Sequence, residues 1–265
     1  MKKFCGLRCG ILIITILFIC SNCSSVGYTD NLALSNNKSK NIQECPKEVF
    51  LTFDDGPSVN NTGKILKILN DNNIKATFFV VGIKAEENPE ALKELSNSGM
   101  CIGVHTYSHN YKKIYKSLDA YINDYEMCKS TIKKITNKEP INYTRLPGGS
   151  TNLIISKTNL NLIKKTLNDK GIKYVDWNVC SGDADSHEVS VEKIKRNVKT
   201  QCQNKKIAVI LMHDTYYKHF TVESLPEIIA YLKNQGFVFR TFGDLTEVEQ
   251  KEMIDLEIIN KNNVR

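Results

Sequence analysis

The sequence is short of the features that usually announce a function. Cys5, Cys9, Cys20 and Cys23 belong to the first 23 residues, which leaves Cys45, Cys101, Cys128, Cys180 and Cys202, an odd set at wide spacing with no C-x-x-C among them. That indicates neither a disulfide framework nor a zinc–thiolate site, and the default is buried thiols with room for one bridge. Excess charge is also scarce. The formal net charge of +7 includes Lys2, Lys3 and Arg8, so the rest of the chain carries 7 − 3 = +4, too little to argue for nucleic acid but compatible with an anionic cell wall. There is no internal repeat and no sign of a second folded domain.

The one apolar stretch at the start, Ile11 to Cys20, is too short for a comfortable membrane span. Behind the basic Lys2, Lys3 and Arg8 it reads as an export signal. An uncleaved anchor is the competing reading, and Cys20 or Cys23 would serve a lipid anchor, although neither follows the usual small residue. Residues 24–46 are polar and without period, rich in Ser and Asn, and read as a tether. Residues 47–265 are then the folded domain, exported to the envelope and touching the membrane only through the N-terminal segment. With 41% hydrophobic and 25% charged residues, the chain as a whole has the composition of an ordinary soluble core.

From Val49 onward, apolar runs alternate with helical patterns. Strands are expected at Val49 to Phe53, Ala76 to Val81, Cys101 to His105, Asn142 to Leu146, Lys173 to Val179, Ile207 to Met212 and Phe237 to Thr241. Helices are expected around Ile65 to Leu69, over Pro89 to Ser96, Ser117 to Ile135, Leu153 to Leu167, Val191 to Cys202 and Leu225 to Leu232, with a closing amphipathic helix carrying Val248, Met253 and Ile254. Seven strands alternating with helices imply parallel pairing, and hence an α/β fold: a distorted (β/α)7-type barrel with outer helices.

The chemistry gathers at strand ends. Asp54 and Asp55 close the first strand, just before the Gly56-Pro57 turn, and adjacent carboxylates call for a cation or an arginine. His105 and His109, four apart past the third strand, share one side if a helical turn begins there. With one aspartate they make a three-ligand site for a divalent transition metal. Arg145 ends the fourth strand, and His213 and Asp214 end the sixth. In a parallel barrel these ends share the face where active sites sit. His187 and His219 have no convergent partners in sequence, and the lysines around Lys133, Lys134, Lys164 and Lys165 read as solvated helix faces. The tyrosines from Tyr107 to Tyr125 suit helix packing and surface, with Tyr107 and Tyr111 near enough to the histidines to touch a sugar.

The ordered set Thr52-Phe53-Asp54-Asp55-Gly56-Pro57, His105-Thr106-x-x-His109, Arg145-Leu146-Pro147-Gly148-Gly149 and Leu211-Met212-His213-Asp214 resembles the polysaccharide deacetylases, carbohydrate esterase family four, over about residues 47–245. The resemblance implies that Asp55, His105 and His109 bind one metal ion, usually zinc, with cobalt, manganese or nickel able to serve. It implies Asp54 as general base held by Arg145, His213 as general acid, and the backbone N–H of Gly148 as oxyanion donor. Gly148 stands where the family often has an aromatic residue. Asp183 is aligned as the partner of His213, with Asp176 beside Trp177 as rival, and Ala184 replaces the family's tryptophan. Leu211 and Trp177 are expected to line the acetyl pocket, with barrel core as the plain alternative for Leu211. The implied function is removal of acetyl groups from N-acetylglucosamine in a polysaccharide, peptidoglycan first, by a monomer. The alternatives are chitin-type or O-acetyl xylan substrates, or a carbohydrate-binding protein without catalysis.

Overall fold

A computed structural model describes residues 46–261. Its central strand β1 (Lys47–Asp54) is buried from Glu48 onward. The cause is its position: β7 (Ile207–His213) pairs along one edge, while the other edge is shared between β2 (Thr77–Val80) at the carboxyl half and β8 (Phe237–Phe239) at the amino half. A parallel strand covered on both faces reads as a continuous apolar run, as Val49 to Phe53 does. Alternate residues divide between two cores. Val49, Leu51 and Phe53 pack with the helices, while Phe50 joins Phe79, Val209 and Phe242 inside the barrel.

Between these strands lie α1 (Thr62–Asp71), α2 (Gly82–Glu87), α3 (Pro89–Asn97), β3 (Cys101–Val104), α4 (Tyr111–Ile114), α5 (Leu118–Thr136), β4 (Tyr143–Thr144), α6 (Lys157–Asp169), β5 (Lys173–Tyr174), β6 (Val179–Cys180), α7 (Val191–Cys202) and α8 (His219–Asn234), and α9 (Glu247–Asp255) follows β8. The sheet runs β5-β4-β3-β2-β1-β7-β6, all parallel. Its edge strands β5 and β6 are consecutive in the chain, so the segment from Lys173 to Cys180 spans the seam of a nearly closed barrel.

That seam corrects the expectation of one strand over Lys173 to Val179. The tail pairs into the gap: the N–H of Asp176 donates to the carbonyl of Ile258 at 2.8 Å, and Asn260 N–H to that of Tyr174 at 2.9 Å. The chain therefore leaves β4 after Tyr174 and rejoins the sheet at β7. Two other expectations shorten. The fourth strand is two residues long, and α6 starts at Lys157 because Leu153 and Ile154 are exposed in a turn. In α9 only Met253 is buried; Val248 and Ile254 face solvent.

Cys101, Cys128, Cys180 and Cys202 are free thiols, and the leader, most of the tether and Cys45 lie outside the described residues. Among the described residues, no helix is long and apolar enough to cross a membrane.

Candidate active site

Parallel strands place Asp54 at the end of β1 and Asp55 just after it, His105 after β3, Arg145 after β4, Asp183 after β6 and His213 at the end of β7 on one rim. Side chains alternate along a strand, so two successive carboxylates would normally point apart. Asp55 escapes this because its φ is 75°, a left-handed conformation that Asp tolerates better than most residues. Both carboxylates consequently approach Nε2 of His105, Asp55 Oδ1 at 3.3 Å and Asp54 Oδ2 at 4.0 Å.

His109 Nε2 joins the cluster at 3.2 Å from Asp55 Oδ1. The two histidines are not on a helical turn, as the four-residue spacing suggested. The intervening chain is a loop with φ of 67° at Thr106 and 48° at His109, and it is pinned by Asp124 of α5, which accepts from the N–H groups of Tyr107 at 2.7 Å and Ser108 at 2.8 Å. Asp124 was missed in the sequence, although an acid among Tyr121, Tyr125 and Cys128 on the buried stripe of α5 is a signal of its own.

The three side chains fit a metal ion. Their ligand atoms all lie within 4.8 Å of one another. His105 Nδ1 is 2.7 Å from the carbonyl of Arg145, which fixes the proton there and turns the Nε2 lone pair toward the cluster. Asp55 Oδ1, facing both rings, is buried with no hydrogen-bond partner, an orphaned acceptor of the kind a cation satisfies. Burial works against the Asp55 carboxylate, yet the neighbouring imidazoles, His105 first and then His109 and His213, hold its carboxyl well below the usual range.

Asp54 sits in a different setting. Its Oδ1 accepts from Arg145 Nη1 at 2.9 Å, and the guanidinium also donates to Thr52 Oγ1 and to the carbonyls of Val175 and Asp176. Arg145 is fully buried, with its guanidinium over Phe79 at 4.4 Å and Trp177 at 5.6 Å. It is not a surface ion pair.

His213 Nδ1 lies 2.8 Å from Asp183 Oδ1, and Asp183 Oδ2 accepts from both the N–H of His213 and Thr221 Oγ1 at 2.8 Å. Burial disfavours the imidazolium, but the Asp183 charge and hydrogen bond outweigh it, with Asp55 and Asp54 adding, and the His213 pKa rises to about 9. Asp176 is committed elsewhere: its carboxylate takes the N–H and hydroxyl of Ser150, fixing the glycine loop. Asp214 is buried over Gly56 with its Oδ2 accepting from Thr62 at 2.5 Å, and burial lifts its pKa to about 7 against that bond, helped by the Asp55 and Asp54 charges.

A cavity of about 320 Å³ opens beside these groups. Leu211 and Trp177 line it, and so do Gly148, Tyr111 and Ala184. Gly148 has φ of 78°, and a Cβ there would crowd Asn152 and Ile154 with Tyr111 just beyond, so the tyrosine ring borders the space beside the glycine. Tyr107 turns away to bond Glu86. His187 and His219 stay off the rim cluster, the first stacked on Tyr217 and the second tilted against Phe220. Lys164 is not solvated: it is buried and donates to the carbonyl of Ser150 at 3.0 Å. Lys218 is a further residue with no sequence signal; its buried ammonium ties the carbonyls of Asp183 and Ser186 to the rim.

A parallel barrel carrying an aspartate–histidine–histidine cluster, a separately held carboxylate and a histidine–aspartate pair on one rim has the parts of a hydrolase that activates water. The family model for polysaccharide deacetylase matches residues 41–175. A Bacillus cereus peptidoglycan-N-acetylglucosamine deacetylase is 34% identical over 75% of this chain and 70% of its own length. The peptidoglycan-N-acetylmuramic acid deacetylase PdaA of Bacillus subtilis is 28% identical over 84% of this chain and 77% of its own. In structure, the catalytic domain of a peptidoglycan N-acetylglucosamine deacetylase from Eubacterium rectale superposes with a TM-score of 0.68 at 35% identity, covering 77% of this chain and 90% of that domain. The chain belongs to the polysaccharide deacetylase family, whose members are hydrolases acting on acetyl groups.

Proposed function

We propose that the protein hydrolyses the acetamido group of N-acetylglucosamine residues in a cell-wall polysaccharide, peptidoglycan first, releasing acetate. The observation that carries this is the unequal pair at the end of β1: Asp55 presents an orphaned oxygen to two imidazoles, while its neighbour Asp54 is held by Arg145. One carboxylate is placed to ligate and the other to take a proton.

Asp55, His105 and His109 hold the metal, with zinc as the proposed ion. A divalent ion there supplies polarisation of the acetyl carbonyl and a lowered pKa for water. Asp54 accepts the proton of the attacking water, oriented by Arg145. The N–H of Gly148 donates to the carbonyl oxygen as charge develops on it, a contribution of about 3 kcal/mol for a single such donor. His213, protonated at neutral pH and oriented by Asp183, gives its proton to the leaving amine. Leu211 and Trp177 bound the space for the acetyl methyl. Residues 1–23 are proposed to export the domain and residues 24–46 to tether it at the wall.

Acetate release from metal-loaded protein tests this on three substrates: N-acetylglucosamine oligomers, peptidoglycan and acetylated xylan. Release from the first two supports the reading. Release from xylan alone makes the protein an O-acetyl esterase, and sugar binding with no acetate from any substrate makes it a binder.

A further inference from the structure

Asp176 does not partner His213, and the chemistry derived above gives it no part, yet it is buried and bonded through every polar group it has. Its carboxylate accepts from the N–H of Ser150 at 2.9 Å and from Ser150 Oγ at 2.5 Å. Its carbonyl accepts from Nη2 of Arg145 at 3.2 Å, next to the Val175 carbonyl that takes Nε of the same guanidinium. Its N–H donates to the carbonyl of Ile258 at 2.8 Å.

The carboxylate acts where the backbone needs support. Gly148 and Gly149 have φ of 78° and 82°, and glycine loses more conformational freedom on being fixed than any other residue. The loop they form is therefore held by its neighbours. Tyr115 donates its hydroxyl to the carbonyl of Pro147 at 2.7 Å, Lys164 its ammonium to that of Ser150 at 3.0 Å, and Asp176 takes both donors of Ser150. Bonds to a carboxylate are about twice as strong as neutral ones, so the Asp176 tie is a strong one. The approach is close as well: a Cβ on Gly149 would meet Trp177 at 3.1 Å and Asp176 Oδ1 at 3.5 Å.

Asp176 is held in turn by the segment after α9. Asn260 grips Tyr174 twice, its N–H donating to the Tyr174 carbonyl at 2.9 Å and its Oδ1 accepting the Tyr174 N–H at 3.1 Å. Its φ of 52° is one that Asn adopts more readily than most residues. Val175 and Ile259 pair antiparallel between these contacts. Residues 258–260 thus fix the segment 174–176, and that segment fixes both Arg145 and the glycine loop.

We infer that Asp176 is a positioning residue for the reaction: it sets the glycine loop so that the Gly148 N–H meets the developing oxyanion, and Asn260 keeps Asp176 in place. The inference rests on the deacetylase reading and adds to it two residues that act through the loop.

The test is acetate release from N-acetylglucosamine oligomers by the full chain loaded with Zn²⁺, read together with zinc content and amide exchange at Gly149. Asp176→Ala should lower kcat roughly tenfold or more with KM and zinc content unchanged, and should speed the exchange. Asp176→Asn keeps an acceptor for the Ser150 N–H and offers its amide to Ser150 Oγ, so it should recover kcat to within about threefold of wild type. Ser150→Ala keeps the N–H bond and should show a smaller loss of the same kind. Asn260→Ala should lower kcat, and Asn260→Asp, which retains the acceptor, should not. Ile229→Ala, a core truncation on α8, should lower stability and leave kcat unchanged. If Asp176→Ala does not fold, Ser150→Ala and Asn260→Ala decide the matter. Unchanged kcat in the alanine variants, a loss that zinc content follows, or a loss that Asp176→Asn does not recover overturns the positioning role while leaving deacetylation standing. No acetate from the wild type overturns the deacetylase reading and the positioning role with it.

Discussion

The backbone carbonyl of Arg145 lies 2.7 Å from Nδ1 of His105. The side chain of the same arginine holds Asp54 at 2.9 Å, so one residue orients both a ring of the candidate metal cluster and the carboxylate beside it. The two functions separate by chemistry, because a substitution removes the guanidinium and keeps the carbonyl.

Arg145→Met should therefore leave a buried carboxylate and several acceptors unpaired, at a cost of about 3–5 kcal/mol in urea unfolding. Arg145→Lys should keep more of the stability and still lose turnover, since a point charge cannot reproduce the fork that spans Asp54, Thr52 and two carbonyls. Zinc affinity of the folded Arg145→Lys protein should change much less than its kcat.

The His213–Asp183 pair makes a prediction about pH. In metal-free protein His213 should titrate by NMR at about 9, above its ordinary 6.5, and Asp183→Asn should bring it down sharply, because burial then acts unopposed by the main favourable charge. The sign for stability follows. The raised His213 pKa adds stability that is fully present below about 6.5 and lost as pH climbs through about 9; the depressed Asp183 pKa, set by the His213 charge and hydrogen bonds against the cost of burial, adds stability present above 3.8 and lost as pH falls through its lower folded value. Bound metal should move the His213 titration downward, since it offsets the pull of Asp55.

Gly56 has no room for a side chain, because a Cβ there would collide with the Asp214 carboxylate. Gly56→Ala should cost about 2–4 kcal/mol in stability and weaken metal binding, since Asp55 is the adjacent residue. Calorimetry with and without zinc checks both effects.

Zinc itself should stabilise the protein. At a hundredfold excess over Kd the gain is about 2.7 kcal/mol, seen as a rise in melting temperature that a chelator reverses. His109→Ala should abolish most of that rise, having removed one of the three ligands.

The fold was legible where burial writes itself into the chain. Val49 to Phe53 and Ile207 to Met212 are apolar without alternation because parallel neighbours cover both faces, and the reactive residues stood at the ends of such runs. What escaped was set by contacts distant in sequence. The break between β5 and β6 comes from pairing with Ile258 and Asn260, more than eighty residues away, and leaves no mark in the residues 173–180. Lys164 looked like solvated surface because a long aliphatic stem can carry an ammonium inward as easily as outward. The histidine pair was noticed for its spacing, but the geometry that unites it is a loop held by Asp124, not a helical period. Asp183 and Asp176 were both open as partners of His213, and only the rim geometry separates them.

The central claim is that Asp55 and Asp54, side by side, do different work. Its most direct measurement is zinc content by mass spectrometry together with acetate release, for Asp54→Asn and His105→Ala purified side by side. The account predicts that Asp54→Asn retains about one zinc per chain and loses turnover by about 10²–10⁴-fold, whereas His105→Ala loses both zinc and turnover. Equal loss of zinc in the two variants, or full activity in Asp54→Asn, would contradict it.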